Sequence, residues 1–196
     1  MIFAETRLAG AYTIDPELIE DERGFFARVW CERELAEHGL TTAVSQTSIA
    51  FNRAEATLRG LHWQVEPHAE VKLVHCVRGA VHDVIVDLRD GSATFREWIA
   101  VELSETNRRI LYVPEGFAHG YQTLVPATEV WYQMSAPHAP AAARGFRWDD
   151  PSFGIEWPPA RRRVISERDL RWPDFAPEML APLAGNQVDR REQARS

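Results

Sequence analysis

The stretch VKLVHCVRGAVHDVIVDLRDG, residues 71–91, predicts two consecutive β-strands joined by a tight turn. Both halves are rich in Val, Ile and Leu, which fit the half-buried surface of a pleated sheet. Gly79 separates the halves, and Asp90-Gly91 ends the second one, as turn residues do between short antiparallel strands. The stretch therefore favours an antiparallel sheet over a helix.

Six similar runs flank this stretch, so that predicted strands follow one another at intervals of about 10 to 12 residues. They are AVSQTSIAFN (43–52), GLHWQ (60–64), EWIAVELS (97–104), RRILYVPEG (108–116), AHGYQTLV (118–125) and EVWYQMS (129–135). Many short, evenly spaced strands are typical of an antiparallel sandwich or a closed barrel. We predict an all-β fold with a few short peripheral helices, one of them in CERELAEHGL at residues 31–40. The Pro- and Trp-rich stretch after the last strand predicts an ordered wrap without regular structure.

The length of 196 residues favours a single domain, which we assign to residues 1–183, followed by a flexible polar tail at residues 184–196. The composition is that of an ordinary globular protein, with 45% hydrophobic and 26% charged residues. No apolar run approaches the roughly 18 residues of a membrane span, and the N-terminus lacks the apolar core of a signal peptide. With only two cysteines in addition, we expect a cytoplasmic protein that has no membrane partner.

The charge balance argues against a nucleic-acid partner. With 22 basic against 29 acidic residues the net charge is −7, which would repel a phosphate backbone. All basic residues are Arg except one, Lys72. This bias reflects either a coding preference that left one lysine by chance or a site that needs a compact ammonium group. Composition leaves both explanations open.

Strand periodicity predicts which polar side chains point into the interior, because successive residues of a strand face opposite sides. By this parity His62, Lys72 and Tyr132 could each point into one barrel interior among apolar neighbours. A small antiparallel barrel has room for one ligand in its mouth, and titratable groups around such a cavity form a candidate site. For each residue taken alone, a hydrogen-bonded core or rim position remains the alternative.

Several motifs, in a fixed order, resemble the dTDP-4-dehydrorhamnose 3,5-epimerase family. They are DERGFFARVW (21–30), LRGLHWQ (58–64), EVKLVHCVRGAVHDVIVDLR (70–89), LYVPEGFAHGYQTL (111–124), EVWYQMS (129–135), RWDDPSFGIEWP (147–158) and ISERD (165–169). The resemblance extends over about residues 12–175. It implies a cupin-type jelly roll, a dTDP-linked nucleotide-sugar substrate and a homodimer.

A metal-dependent cupin is the first alternative. Such sites usually combine an H-x-H pair with a carboxylate and a later His. Here the pair position reads His62-Trp63-Gln64, so the second imidazole is missing, and the nearby Lys72 would oppose a divalent cation. We therefore expect no metal, and the chemistry of the family implies no other cofactor.

The resemblance implies proton abstraction next to a ketone. In a nucleotide-linked 4-keto-6-deoxyhexose, the carbonyl at carbon 4 acidifies the hydrogens on carbons 3 and 5. Loss of one proton gives an enolate, and protonation of the opposite face inverts that centre, which requires a base, a stabiliser of the enolate oxygen and an acid across the ring. By motif, His62 matches the base and Asp169 its carboxylate partner. Lys72 matches the group near the carbonyl, and Tyr132 the proton donor on the opposite face.

The same resemblance implies a set of substrate-binding residues, in which arginine forks suit diphosphate oxygens. They are Arg23, Arg28, Gln46, Ser48, Arg59, Lys72, His119 and Arg168. The chain departs from the frequent family residues at Arg28, Ser48, His138, Ala143 and Arg168. The nucleobase of the substrate, its sugar and the number of inverted carbons therefore stay open. Five residues without a family match are expected to be structural, Asp83 being the foremost exception: His68, His75, His82, Asp83 and Asp87.

Three hypotheses follow. The first is a metal-free epimerase that converts dTDP-4-dehydro-6-deoxy-D-glucose to dTDP-4-dehydro-L-rhamnose by inverting carbons 3 and 5. The second is a single-centre epimerase of another nucleotide keto-sugar, which the departures motivate. The third is a non-catalytic cupin that binds a nucleotide-sugar, although such a protein has no need for both a His62–Asp169 pair and Tyr132.

Overall fold

The computed structural model describes residues 1–183, so the expected tail at residues 184–196 lies outside the described part of the chain. The strands are β1 (Ile2–Glu5), β2 (Tyr12–Asp15), β3 (Ile19–Asp21), β4 (Gly24–Phe26), β5 (Gln46–Asn52), β6 (Thr57–Gln64), β7 (Lys72–Arg78), β8 (Ala80–Asp87), β9 (Trp98–Ser104), β10 (Ile110–Val113), β11 (Phe117–Thr123), β12 (Thr128–Met134), β13 (Ala143–Gly145) and β14 (Val164–Ile165). The helices are α1 (Glu32–Glu37), α2 (Glu167–Leu170) and a 3-10 helix at Pro177–Leu180. Within residues 1–183 no helix is long and apolar enough to cross a membrane.

Two antiparallel sheets form the body of the fold. The first has the strand order β1-β2-β10-β7-β12-β5, and the second has the order β13-β6-β11-β8-β9, with β14 parallel to β6. The sheets enclose a core to which the first contributes Val74 and Leu111 and the second contributes Ile85 and Phe117. All eight strands predicted from the sequence are present. The arrangement is the cupin-type jelly roll that the family resemblance implied.

A second apolar core covers the outer face of the second sheet. The segment after β13 folds back over β6 and β8, and its Phe146 and Phe153 rings stack with centroids 4.4 Å apart. Arg163 ties the segment down by donating to the Gln122 side chain at 2.8 Å. The predicted wrap is confirmed, but it also contains the short elements β13, β14 and α2, which were not predicted. This wrap places α2 beside β6.

The N-terminal quarter differs most from the sequence prediction. Helix α1 is present, with Leu35 fully buried, and the chain leaves it at Gly39, whose positive φ of +69° suits a helix end. Four short strands around it were not predicted. β1 and β2 extend the first sheet, whereas β3 and β4 form a separate hairpin that exposes Ile19 and Phe26. Strands of three or four residues are too short to show a period of two. β10 is equally short, but its uninterrupted apolar run ILYV identified it.

Candidate active site

Two adjoining cavities lie between the sheets and share His62, Lys72 and Tyr132 in their walls. The inner cavity has a volume of about 190 Å³ and is also lined by Ala50, Arg59, His119, Gly120, Tyr121 and Asp169. The outer cavity has a volume of about 460 Å³ and is also lined by Gln46, Ser48, Trp63, Gln64, Glu70, Met134, His138, Ala143, Arg144 and Arg168. The inward orientation that strand parity predicted for the three shared residues is therefore observed.

A close approach between the paired strands β6 and β11 sets the position of His62. Gly60 has a φ of +109°, and a Cβ atom there would lie 2.6 Å from the Cα of Gly120. Only glycine fits this approach, because any side chain would collide with the neighbouring backbone. The register shifts between His119 and Tyr121, so that His119 stands opposite His62 at the cavity wall.

His62 is held by a buried carboxylate. Its Nε2 lies 2.6 Å from Oδ1 of Asp169, and the two side chains are 41% and 7% exposed. Asp169 is on α2, where its backbone N–H donates to the hydroxyl of the N-cap residue Ser166. Burial opposes ionisation of Asp169, but hydrogen bonds from His62, Ser166 and the Gly60 backbone hold its pKa below the ordinary value. The ionised carboxylate accepts the Nε2–H, which leaves Nδ1 with the lone pair that a base needs.

Trp172 supports the imidazole from the side. The His62 and Trp172 rings meet edge to face with centroids 6.2 Å apart, and the guanidinium of Arg168 lies 5.6 Å above the indole. Gly145 makes room for this indole, because a Cβ atom there would overlap it. The short segment from α2 to Trp172 thus supplies the partner, the packing surface and one cation of the site.

Lys72 stands at the start of β7 with its ammonium in the wall of both cavities. Its Nζ forms an ion pair with Oε1 of Glu70 at 2.5 Å, and the two side chains are 11% and 9% exposed. Among residues 1–183 this is the only ion pair of Lys72. The lysine is therefore a placed, paired group, which removes the explanation of a surface lysine left by chance.

Tyr132 lies on β12, across the cavity mouth from β6. Behind it Tyr121 is buried, which raises the pKa of its phenol to about 12 and keeps that phenol protonated. Asn52 links Tyr121 to Arg59. Its side-chain oxygen accepts from Nε of Arg59 at 2.8 Å, and its side-chain nitrogen donates to the Tyr121 hydroxyl at 3.3 Å. Arg59 is thereby aimed into the inner cavity.

His119 forms a second histidine–carboxylate pair in the inner cavity. Its Nε2 lies 2.9 Å from both oxygens of Asp83, which is completely buried. Burial raises the pKa of Asp83, and the interaction with His119 opposes that shift. Asp83 was the foremost exception among the residues expected to be structural, and its contact orients a cavity residue.

The structure brings most of the predicted binding residues to the cavities. Arg59 and His119 line the inner one, and Gln46, Ser48 and Arg168 line the outer one. Arg23 and Arg28 are the exceptions, since neither lines the inner or the outer cavity.

The two exceptions lie in the β3–β4 hairpin (Arg23) and just after it (Arg28). Arg23 is 85% exposed and paired with Asp21, and Arg28 is 54% exposed and lies 3.4 Å from Glu34. Motif order identified these arginines but carries no information on where a short hairpin points. Their role as substrate ligands stays a prediction.

Sequence reasoning missed four residues that shape the site: Asn52, Gln64, Glu70 and Arg144. Parity placed Gln64 on the face of His62, and Glu70 is two residues from the lone lysine, so both had a weak signal. Asn52 and Arg144 had none. Within residues 1–183 no group of three or more His, Cys, Asp or Glu side chains is arranged to hold a metal ion.

The chain is similar to known proteins over most of its length. The family model for dTDP-4-dehydrorhamnose 3,5-epimerase matches residues 5–177. An enzyme of that name from Sinorhizobium fredii is 40% identical over 175 residues, which cover 89% of this chain and 90% of the relative. The crystal structure of the Bacillus anthracis enzyme, with TDP and PPi bound, superposes with a TM-score of 0.86 at 37% identity and covers 89% of this chain and 99% of that one.

A crystal structure from Legionella pneumophila, a dTDP-6-deoxy-D-glucose-3,5-epimerase in complex with dTDP-4-keto-L-rhamnose, also has a TM-score of 0.86. Its identity is 30%, and the match covers 94% of this chain and 99% of that one. The site is consistent with these matches, because His62 is paired with Asp169 beside Lys72 and Tyr132. With the shared fold and the nearly full-length match, this chain belongs to the dTDP-4-dehydrorhamnose 3,5-epimerase family.

Proposed function

We propose that the protein is a dTDP-4-dehydrorhamnose 3,5-epimerase, an isomerase that inverts carbons 3 and 5 of a dTDP-linked 4-keto-6-deoxyhexose. The observation that carries this proposal is the His62–Asp169 pair at 2.6 Å, which opens into the cavity that Lys72 and Tyr132 also line. A base, a cation for an oxyanion and a phenol are thereby available to one small ligand. A pure binding protein would gain nothing from that combination.

Each inversion uses the same groups. Nδ1 of His62 takes a proton from the carbon next to the carbonyl. The electron pair of the broken C–H bond forms a carbon–carbon double bond, and the π pair of the carbonyl moves onto its oxygen. The ammonium of Lys72 stabilises that oxyanion, while Asp169 stabilises the imidazolium. Tyr132 then returns a proton to the opposite face of the ring, the ketone re-forms, and solvent restores the two side chains.

The surrounding cations support a diphosphate ligand despite the acidity of the chain. Arg59, Arg144 and Arg168 line the two cavities, together with Lys72. Guanidinium groups form bidentate hydrogen bonds with phosphate oxygens. We assign the nucleotide and its diphosphate to the outer cavity and the sugar ring to the part that both cavities share. No step calls for a metal or another cofactor.

Product identity tests the proposal. The purified protein is incubated with dTDP-4-dehydro-6-deoxy-D-glucose and a reductase that consumes the epimerised ketone, and the sugar is identified by NMR. We expect a product inverted at both carbons. A product inverted at one carbon would establish the single-centre alternative, and binding without turnover over a panel of keto-sugars would establish a binding protein.

A homodimer is also proposed, on the strength of an exposed apolar patch. Edge strand β5 and its neighbour β12 present Ile49, Phe51 and Trp131 to solvent, and the hairpin presents Ile19 and Phe26. Monomers rarely expose so many large apolar side chains together. We expect light scattering to give twice the chain mass and Trp131→Glu to give a monomer, whereas a monomeric wild-type protein would refute the dimer.

The two free cysteines, Cys31 and Cys76, and the nucleotide-linked substrate support a cytoplasmic location. Cell fractionation with an antibody against the protein tests it.

A further inference from the structure

One charged residue in the wall of the outer cavity has no role in the chemistry described so far. Glu70 lies in the connection between β6 and β7, and its carboxylate forms the 2.5 Å ion pair with Lys72. Ion pairs on the surface contribute little, but a buried charge persists only where a partner compensates it. Both side chains are almost buried, so this pair is a fixed feature of the cavity wall.

The second oxygen of Glu70 is fixed as well. Oε2 accepts from Nε2 of Gln64 at 3.2 Å. Gln64 is itself immobilised, because its amide nitrogen also lies 2.9 Å from the carbonyl oxygen of His68 and 3.2 Å from that of Pro137, so its two hydrogens serve three acceptors. Its side-chain oxygen accepts from the Ala139 N–H at 2.6 Å. Since Gln64 follows His62 by two residues on β6, the two side chains project from the same face of the strand.

These contacts connect the ammonium to the strand that carries the base. A lysine side chain has four rotatable bonds, so an ammonium without a partner would sample many rotamers. An ammonium has three N–H donors, so a single carboxylate partner leaves donors for a substrate oxygen. A donor already aimed at the developing charge need not reorganise during the reaction.

We propose that Glu70 is a positioning residue that, braced by Gln64, holds the Lys72 ammonium where the enolate oxygen forms. The proposal rests on the proposed function and deepens it. The negative charge of Glu70 also weakens the attraction between Lys72 and an anion. If Glu70 mainly positions Lys72, its neutralisation lowers kcat. If its negative charge mainly weakens the attraction between Lys72 and the enolate oxygen, its neutralisation raises kcat. We commit to the first outcome.

The first test neutralises the carboxylate in the full-length protein. Glu70→Gln is expected to lower kcat at least tenfold while the Kd of dTDP, measured by calorimetry, changes less than twofold. Glu66→Gln is the matched control, because Glu66 lies in the same connection but is exposed and outside both cavities. Its kcat should stay within twofold of wild type. An unchanged or higher kcat in Glu70→Gln would overturn the proposal.

The second test separates positioning from general structural damage. If Glu70 acts through Lys72, its neutralisation has nothing left to disturb once the ammonium is gone. Lys72→Met is expected to lower kcat at least a hundredfold, and adding Glu70→Gln to it should change kcat less than twofold. An undiminished further loss in the double variant would overturn the proposal.

Glu70→Asp provides a conservative variant that keeps the charge and withdraws the carboxylate by one methylene. We expect a kcat between those of wild type and Glu70→Gln, and this variant decides the matter should Glu70→Gln fail to fold. A wild-type kcat in Glu70→Asp would then count against positioning. A wild-type protein that fails to exchange or epimerise the sugar would refute the proposed function instead, so the two failures are distinguishable.

Discussion

The orientation of one imidazole ring decides what the site can do. Asp169 is buried and ionised, so it accepts the Nε2–H of His62 and leaves the lone pair on Nδ1. The same carboxylate stabilises the imidazolium that forms when a carbon-bound proton is taken. Packing against Trp172 keeps the ring in that orientation.

Replacement of this carboxylate by an amide tests its electrostatic role. Asp169→Asn is expected to lower kcat by about 10²-fold or more, because the amide is neutral and its N–H can favour the wrong tautomer. The Kd of dTDP should change little. Asp149→Asn, at an exposed residue paired with Arg147, is the control and should leave kcat unchanged. A wild-type kcat in Asp169→Asn would remove the pair from the mechanism.

Tyr132 permits a sharper test, because loss of the proton donor and loss of the base affect deuterium exchange and product formation differently. In Tyr132→Phe, His62 still removes a proton and can return a solvent proton to the same face. We therefore expect deuterium exchange in heavy water to continue while formation of the inverted product falls by about 10²-fold. NMR of the recovered sugar measures both quantities.

Tyr112→Phe is the matched control, since within residues 1–183 the Tyr112 hydroxyl has one hydrogen-bond partner, the Thr41 N–H, and Tyr112 lines neither cavity. It should keep turnover within about twofold of wild type. Normal inversion in Tyr132→Phe would assign the proton donor elsewhere.

At the level of strands, the close pairing of β6 and β11 sets the geometry of the site. His62 and His119 face each other only because Gly60 and Gly120 let the two backbones approach. A methyl group at Gly60 would push the strands apart and move both histidines. The architecture of the cavity therefore depends on two residues that have no side chain.

Gly60→Ala is expected to lower the free energy of unfolding by about 2 kcal/mol or more, through backbone strain and overpacking, and to reduce kcat as well. Urea unfolding and the coupled assay measure these effects. Gly91→Ala isolates the strain, because Gly91 also has a positive φ, +78°, but no atom within 4 Å of the added methyl group. It should cost about 1 kcal/mol and spare kcat. Equal effects on kcat in both variants would contradict the close-approach argument.

The sequence predicts the central strands well and the periphery poorly. Strands β5 to β12 have apolar runs rich in β-branched and aromatic residues, and in the longer strands β6, β7 and β12 parity placed His62, Lys72 and Tyr132 on the cavity wall. The short strands β1 to β4 offer no such period.

For the site as well, the sequence predicted one part, the catalytic residues, and missed another, the contacts that support them. The catalytic matches came from family motifs, whereas the supporting contacts of Asn52 and Glu70 depend on tertiary packing. Packing of this kind has no pattern in a single sequence.

Across the whole molecule, the charge around the cavities differs from the net charge of the chain. The chain has a net charge of −7, yet four of its cations line the cavities. A separate acidic group, Asp87, anchors the second sheet: it is completely buried and accepts from Arg89 at 2.7 Å, Ser92 at 2.6 Å and Thr94 at 2.7 Å. Burial opposes its ionisation, but these donors lower its pKa to about 2.

The depressed pKa of Asp87 predicts a stability that depends on pH. The unfolded chain binds the proton near pH 4 and the folded chain near pH 2, so the contribution is present above pH 4 and is lost as pH falls through 2. Asp87→Asn should reduce the free energy of unfolding at pH 7 by about 2 kcal/mol, and the difference should shrink towards pH 2. Urea unfolding at several pH values measures it.

Asp90→Asn, at an exposed neighbour, should change the free energy of unfolding by less than about 0.5 kcal/mol at any pH. A deficit in Asp87→Asn that stays constant with pH would mean that its hydrogen bonds, and not its charge, provide the stability.

The central claim is that His62 removes carbon-bound protons next to the carbonyl, and isotope exchange tests it most directly. The protein is incubated with dTDP-4-dehydro-6-deoxy-D-glucose in heavy water, and deuterium at each ring carbon is read by NMR and mass spectrometry. We predict deuterium at carbons 3 and 5 with the wild-type protein and its loss in His62→Ala. A ring without deuterium after prolonged incubation with the wild-type protein, or undiminished exchange in His62→Ala, would contradict the account.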